Sequence, residues 1–299
     1  MIVIRKVDEL RKYSIEQRSK GKTIGFVPTM GFLHEGHISL ITRASVECDL
    51  VITSIFVNPT QFAPHEDFDS YPRDFEHDYN LAKNADCDVL FAPAREEIYP
   101  EGATTSLSVG DLAYVLEGKY RPHFFDGVAT VVSKLFSATL PNKAFFGQKD
   151  YQQTLVVKAL SKDMLMGVEI VVCPIVREPN GLAMSSRNKY LTDDERNKAK
   201  ILFQSLVATK EFIESGERNR KKINAYLHDS LRKLESLKID YALAVDASNL
   251  EEPNEFDEGS EIVLLLGTIL GKTRLIDNMV VKVPITKYNE DDRFQIGLK

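Results

Sequence analysis

Along the first 176 residues, apolar runs of strand length alternate with stretches whose apolar positions recur every three or four residues. Residues 7–19 carry helical spacing, and Gly21-Lys22 lead into Thr23-Ile24-Gly25-Phe26-Val27, an apolar run short enough for a buried strand. After the stretch PTMGFLHEGHISLI (28–41), Ile38, Leu40, Ile41 and Ala44 predict a helix, and residues 50–57, rich in β-branched side chains, predict a second strand. Strand, loop, helix, strand is a βαβ unit. The alternation continues through a helix around 74–84, a strand at 88–91, a helix around 127–140, a strand at 143–146, a helix over 151–165 and a strand over 168–176. Such a series predicts an α/β fold, a Rossmann-like parallel sheet buried between helices.

Beyond Val176 the texture changes. Arg177-Glu178-Pro179-Asn180-Gly181 is turn-rich, and Thr192-Asp193-Asp194-Glu195 has the spelling of a capping box. Two charged amphipathic helices follow, then apolar strands at 241–245, 261–266 and 273–276, so a smaller α+β domain is expected. The resulting division is 1–176, 177–284 and a polar tail over 285–299. Gly267-Thr268-Ile269-Leu270-Gly271-Lys272-Thr273 nearly spells a phosphate-binding P-loop, but three residues rather than four separate its glycines and a strand pattern follows it. A hairpin turn is the better reading.

The 43% hydrophobic content of the 299 residues supports a proper core, and a net charge of -6 leaves no general basic face for nucleic acid. The start, MIVIRKVDELRKYS, lacks the apolar core of a signal peptide, and no run approaches the ~18 apolar residues of a membrane span, so a cytoplasmic location is expected. Cys48, Cys87 and Cys173 are widely spaced without a Cys-x-x-Cys pair and read as buried free thiols.

Two of the chain's six histidines, His34 and His37, stand three residues apart where a strand turns into a helix. Zinc is disfavoured, because His-Glu-x-x-His would need one more residue and no third ligand stands nearby. Structural histidines are the plain alternative. The stronger reading is anion binding at a helix N-terminus, where free N–H groups and the helix dipole favour phosphate. Gly36 would let a ligand approach the backbone, and Gly31 would permit the turn that carries the histidines to the C-terminal edge of the sheet.

The His-x-Gly-His spelling resembles the signature of the nucleotidylyltransferase and class I aminoacyl-tRNA synthetase superfamily. The wider set is more specific. Pro28-Thr29-Met30-Gly31 through His37, Phe56-Val57-Asn58-Pro59 with Gln61-Phe62, Tyr71-Pro72-Arg73, Phe146 through Gln153, Met184-Ser185-Ser186-Arg187-Asn188 and Arg274 through Asn278 resemble, in order and spacing, the pantothenate synthetase family over nearly the whole chain. That resemblance implies ATP-dependent condensation of pantoate with β-alanine through a pantoyl-adenylate, releasing pyrophosphate and AMP, with magnesium accompanying ATP and a homodimer as the assembly. It implies His37 as proton donor, with His34 and Lys149 beside it on the phosphates. Met30, Gly147, Asp150, Val176, Met184, Ser185, Ser186 and Arg187 would complete the ATP site, with Asp150 also capping the next helix. Gln61 and Gln153, assisted by Asn58 and Arg121, would take pantoate and β-alanine. No acidic cage for the metal is evident, so water and phosphate would supply most ligands.

One departure stands out. The family commonly reads Arg-Pro-Gly-His-Phe-x-Gly-Val, whereas this chain has Arg121-Pro122-His123-Phe124-Phe125-Asp126-Gly127-Val128, with Phe124 at the family's histidine position and His123 displaced by one. Two other readings stay open: a nucleotidylyltransferase acting on a phosphorylated alcohol, which would want more cations than neutral Gln61 and Gln153 offer, and a nucleotide-sensing module without turnover.

Overall fold

The computed structural model describes residues 1–64 and 66–285. Its first part alternates strands β1 (Ile2–Ile4), β2 (Ile24–Thr29), β3 (Leu50–Ile55), β4 (Val89–Phe91), β5 (Lys143–Gly147) and β6 (Glu169–Cys173) with helices α1 (Val7–Ser19), α2 (Glu35–Glu47), α3 (Phe75–Asn84), α4 (Arg95–Ile98), α5 (Glu117–Tyr120), α6 (Phe124–Thr139) and α7 (Tyr151–Asp163). All six strands are parallel, in the order β1-β4-β3-β2-β5-β6. Phe26, Ile52, Phe91 and Phe146 fill one face with α6, and Val27, Ile41, Leu90 and Phe145 fill the other. Burial on both faces is why these strands read as continuous apolar runs. The chain steps outward from β2 in one direction through β3 and β4 and in the other through β5, so the order reverses between β2 and β5. The loops leaving those two strands therefore diverge and open a crevice at the sheet's carboxyl edge.

The second part packs α8 (Asp193–Lys198), α9 (Ile201–Glu214) and α10 (Arg220–Arg232) on an antiparallel sheet of β7 (Leu237–Asp246), β8 (Glu261–Leu270) and β9 (Thr273–Lys282). It has its own core of Leu202, Leu206, Ile223, Leu227, Ile262 and Leu264. Apolar residues of β7 and β8 also press on Leu116, Tyr151 and Leu155 of the first part. Polar contacts lock the joint. The Asn278 amide donates to the carbonyls of Gln148 (2.9 Å) and Lys149 (3.0 Å) and accepts from the Gln148 amide at 3.1 Å.

The expected elements are present, with shifted bounds. β1 was not anticipated: it is only three residues long, and its outer face stays exposed at the edge of the sheet. The helix expected around 127–140 begins at Phe124, and β6 ends at Cys173 rather than 176. β8 and β9 run longer than expected, so the hairpin turn that replaces the P-loop reading is only Gly271-Lys272. Thr192 and Glu195 form the expected capping box. Cys87 and Cys173 are buried thiols, but Cys48 is only partly buried. The tail expected over 285–299 lies, from 286 onward, outside the described residues.

Arg177 and Asp277 join the turn-rich segment to β9 through a forked pair at 2.6 and 2.9 Å, with Asp277 almost fully buried. Burial raises the Asp277 pKa despite the opposing pull of Arg177, so desolvation outweighs the attraction. Removing one partner should therefore cost more than removing both. Arg177→Met is expected to lower unfolding free energy by about 3–5 kcal/mol, and the double variant Arg177→Met/Asp277→Leu to recover most of that loss in urea titrations.

Candidate active site

The crevice between the β2 and β5 loops opens into a cleft of about 510 Å³, walled on its far side by β9 and by the segment 184–187. All fifteen residues expected at the site line this one cleft.

The turn after β2 places the histidines. Gly31 (φ 83°) and Phe32 (φ 50°) are both left-handed, so the chain reverses sharply before Leu33 and enters α2 with His34 as its N-cap. Nδ1 of His34 accepts from the Gly36 N–H at 3.1 Å, while Nδ1 of His37 accepts from the N–H of His34 at 3.3 Å. This is a capping box built from imidazoles. Because a backbone N–H occupies each Nδ1, the ring proton of each neutral histidine sits on Nε2. The rings lie 4.1 Å apart and face the cleft. A Cβ on Gly36 would sit 2.9 Å from the His34 ring, so the glycine that was expected to admit a ligand admits first of all the histidine itself.

The loop after β5 supplies Gly147, Lys149 and Asp150. The ammonium of Lys149 and the carboxylate of Asp150 make neither hydrogen bond nor ion pair among the described residues. Asp150 precedes α7 without capping it, contrary to expectation, because its side chain turns to the cleft. Opposite, Met184 packs over Gly36, and its N–H donates to the Val176 carbonyl at 3.0 Å. The Ser185 hydroxyl accepts from the Arg187 N–H at 3.3 Å, and that of Ser186 donates to the Phe32 carbonyl at 3.2 Å. Arg187 forks onto Asp67 at 3.0 and 3.1 Å. Met30 borders the cleft at the end of β2.

On the remaining wall, buried Asn58 donates to Gln61 Oε1 (2.9 Å) and to the Gly127 carbonyl (3.1 Å), and accepts from Tyr99 Oη (2.8 Å). Its amide thus holds Gln61 rather than reaching outward. The side-chain amide of Gln153 has no hydrogen-bond partner among the described residues and lines the cleft. Arg121 forks onto Glu66 at 2.7 and 2.8 Å and stacks on Phe124, 3.9 Å from the ring centroid. The aromatic ring at the departure point therefore orients the arginine, while His123 points to solvent with its side chain 85% exposed.

A family model described as pantoate-beta-alanine ligase matches residues 2–280. The chain belongs to this family. A pantothenate synthetase of Caldicellulosiruptor saccharolyticus is 48% identical over 95% of this chain and 100% of its own length, and one of Thermotoga neapolitana is 47% identical over 94% and 100%. Among solved structures, pantothenate synthetase from Thermus thermophilus superposes with a TM-score of 0.88 at 41% identity, covering 95% of this chain and 100% of that one. Pantoate-beta-alanine ligase from Francisella tularensis, complexed with beta-gamma ATP and beta-alanine, gives 0.74 at 36%, covering 94% and 97%.

In this pantoate-beta-alanine ligase family member the histidine pair is held neutral. Desolvation, followed by the charge of Lys149, lowers the His34 pKa to about 4, and desolvation with His34 and Lys149 pushes His37 well below its usual value. Among the described residues, no group of three or more His, Cys, Asp or Glu side chains is placed to hold a metal ion. Sequence reasoning missed Glu66 and Asp67, the adjacent acids that hold Arg121 and Arg187. Their only signal was a run of three carboxylates, Glu66, Asp67 and Asp69, between Phe62 and Tyr71, with nothing to say which cations they face.

Neutral buried histidines make stability depend on acid. Below about pH 6.5 the unfolded histidines take up protons while folded His34 does not until about 4, so stability falls as pH drops through this window. Urea midpoints at about pH 7 and about pH 5 should show a smaller acid loss for His34→Asn, which keeps an N-capping side chain, than for the wild type. Equal losses would contradict a neutral His34.

Proposed function

We propose that the chain condenses pantoate with β-alanine to pantothenate, using ATP and passing through a pantoyl-adenylate. The observation that carries this reading is the convergence, in one cleft at the switch point of the sheet, of two neutral Nε2–H donors and the Lys149 ammonium, which has no ion pair among the described residues. A carboxylate is a poor electrophile, and amide formation in water requires its activation. Attack of the pantoate carboxylate on the α-phosphorus of ATP forms the P–O bond of the adenylate as pyrophosphate leaves, and negative charge grows on the phosphate oxygens. Preorganised donors aimed at such charge contribute ~2.7–4 kcal/mol each. His34 and His37 fill that role without imidazolium character, and Lys149 adds a positive charge that no carboxylate among the described residues pairs. His37 is then the donor toward the leaving phosphates.

Gln61 and Gln153 offer amide groups to the hydroxyls of pantoate without adding charge. Met30, Gly147, Val176 and Met184 border the nucleotide, and Ser185, Ser186 and Arg187 face its outer phosphates. Arg121 stands on the side where the β-alanine carboxylate would bind. Phosphate or carboxylate oxygens must compete with Asp67 and Glu66 for these two arginines. Magnesium would arrive on the ATP phosphates, where it neutralises charge. Asp150, which has no ion pair among the described residues, fits as the protein carboxylate facing it in the same cleft. In this reading residues 1–176 bind nucleotide and pantoate, 177–284 cover them, and the enzyme works in the cytoplasm as a homodimer. The neutral glutamines disfavour the rival in which a phosphorylated alcohol accepts the nucleotide.

The test is ATP–pyrophosphate exchange with magnesium, pantoate present or absent and β-alanine omitted, on protein whose light-scattering mass is that of two chains. Exchange is expected only with pantoate, and His37→Ala should slow it by about 10²-fold or more. Exchange indifferent to pantoate, or none at all, would overturn the reading.

A further inference from the structure

The dipeptide between the left-handed turn and His34 is gripped at every backbone polar group. The N–H of Phe32 and the N–H of Leu33 both point at the carboxylate of Asp78 on α3, 2.8 Å to Oδ2 and 2.6 Å to Oδ1. Two successive N–H groups converging on one carboxylate form an anion-binding nest, here filled by the protein's own side chain. The Phe32 carbonyl accepts from Ser186, and the Leu33 carbonyl from Nε2 of His77, the neighbour of Asp78. Asp78 is 1% exposed and forms no salt bridge among the described residues, with the titratable groups of His77 and Asp74 as its electrostatic neighbours. Its contact with the turn is close enough that a Cβ on Gly31 would lie 2.9 Å from Oδ2.

A buried carboxylate is costly to maintain, and the hydrogen bonds of this one go to the turn after β2. What it holds is a strained turn: Phe32 at φ 50° is a conformation that a residue with a bulky side chain adopts only when its surroundings enforce it. The next residue but one is His34, whose own N–H is the group that fixes the His37 ring. A change of path at Phe32–Leu33 would rotate that N–H and release Nδ1 of His37, and with it the assignment of the proton to Nε2. The same change would shift the Phe32 carbonyl away from Ser186, loosening the second phosphate-facing loop.

We propose that Asp78, with His77 beside it, is the positioning residue of the histidine pair: it sets the turn before α2 and, through that turn, aims both Nε2–H groups into the cleft. The proposal rests on the adenylation reading for its kinetic consequence but not for its structural one, and the two are separable.

The experiment is Asp78→Asn, which keeps the shape and replaces one acceptor oxygen by an amide that faces an N–H. Pantoate-dependent ATP–pyrophosphate exchange should lose between about 10-fold and about 10²-fold in kcat, with KM for pantoate within about threefold of wild type. Ring 15N spectra should change from a single Nε2–H tautomer to a mixture. A folded variant with wild-type kcat and an unmixed tautomer would overturn the proposal. Loss of kcat with unchanged tautomers would overturn it too, since it would assign Asp78 another role. If wild type itself shows no exchange, the adenylation reading fails while the tautomer comparison still decides for or against Asp78. Should Asp78→Asn not fold, His77→Phe keeps the ring contact with Phe32 and removes only the donor to Leu33. A few-fold lower kcat and partial tautomer mixing are then expected, and wild-type values in both would be the contrary result.

Discussion

The site depends on one local necessity: the first turn of α2 has backbone N–H groups without helical partners, and two imidazoles satisfy them. In most helices a serine, threonine or aspartate does this work and the cap is finished there. An imidazole has a second nitrogen. By accepting through Nδ1, each ring is fixed in orientation and in tautomer, and each is left with an Nε2–H directed away from the helix. Helix capping and the presentation of two ring N–H donors to the cleft are therefore carried by the same two side chains, at the point where the sheet order reverses and an opening must exist.

Charge in the cleft is arranged around that neutrality. A protonated ring here would pay the desolvation of its charge first and then the repulsion of Lys149. The cleft's full positive charges come instead from side chains at its walls. Arg121 and Arg187 are held by adjacent acids, and Arg274 is held by Glu117. Lys149 differs from these arginines in having no ion-pair partner among the described residues. Lys149 therefore stands in the cleft as an unbalanced cation beside two neutral donors, while Arg121, Arg187 and Arg274 are already balanced by carboxylates.

Much of this was legible in the sequence because it is local. Strand, helix and loop periodicities gave the α/β fold, and the pairing of His34 with His37 beside Gly36 marked the helix N-terminus that the structure places in the cleft. The motif set, read as a family resemblance, gathered fifteen residues that the fold does bring to one cleft. What escaped was non-local. Glu66, Asp67 and Asp78 lie 55, 120 and 45 or more positions from the groups they hold, and an acid on a loop or helix carries no mark of its partner. β1 escaped for another reason, since three residues at a sheet edge are too few to show a period. The histidine tautomers escaped because they follow from which backbone N–H each Nδ1 meets, which is a matter of geometry alone.

The central claim is that capping makes His34 and His37 neutral Nε2–H donors that face the phosphates of ATP. Ring 15N spectroscopy of the wild-type protein, near pH 7 with and without a non-hydrolysable ATP analogue and magnesium, reads it directly. Both rings should show a protonated Nε2 and an unprotonated Nδ1, and adding the nucleotide should move the Nε2 resonances while leaving Nδ1 in place. An Nδ1–H tautomer, an imidazolium in the free enzyme, or Nε2 signals indifferent to nucleotide would contradict it.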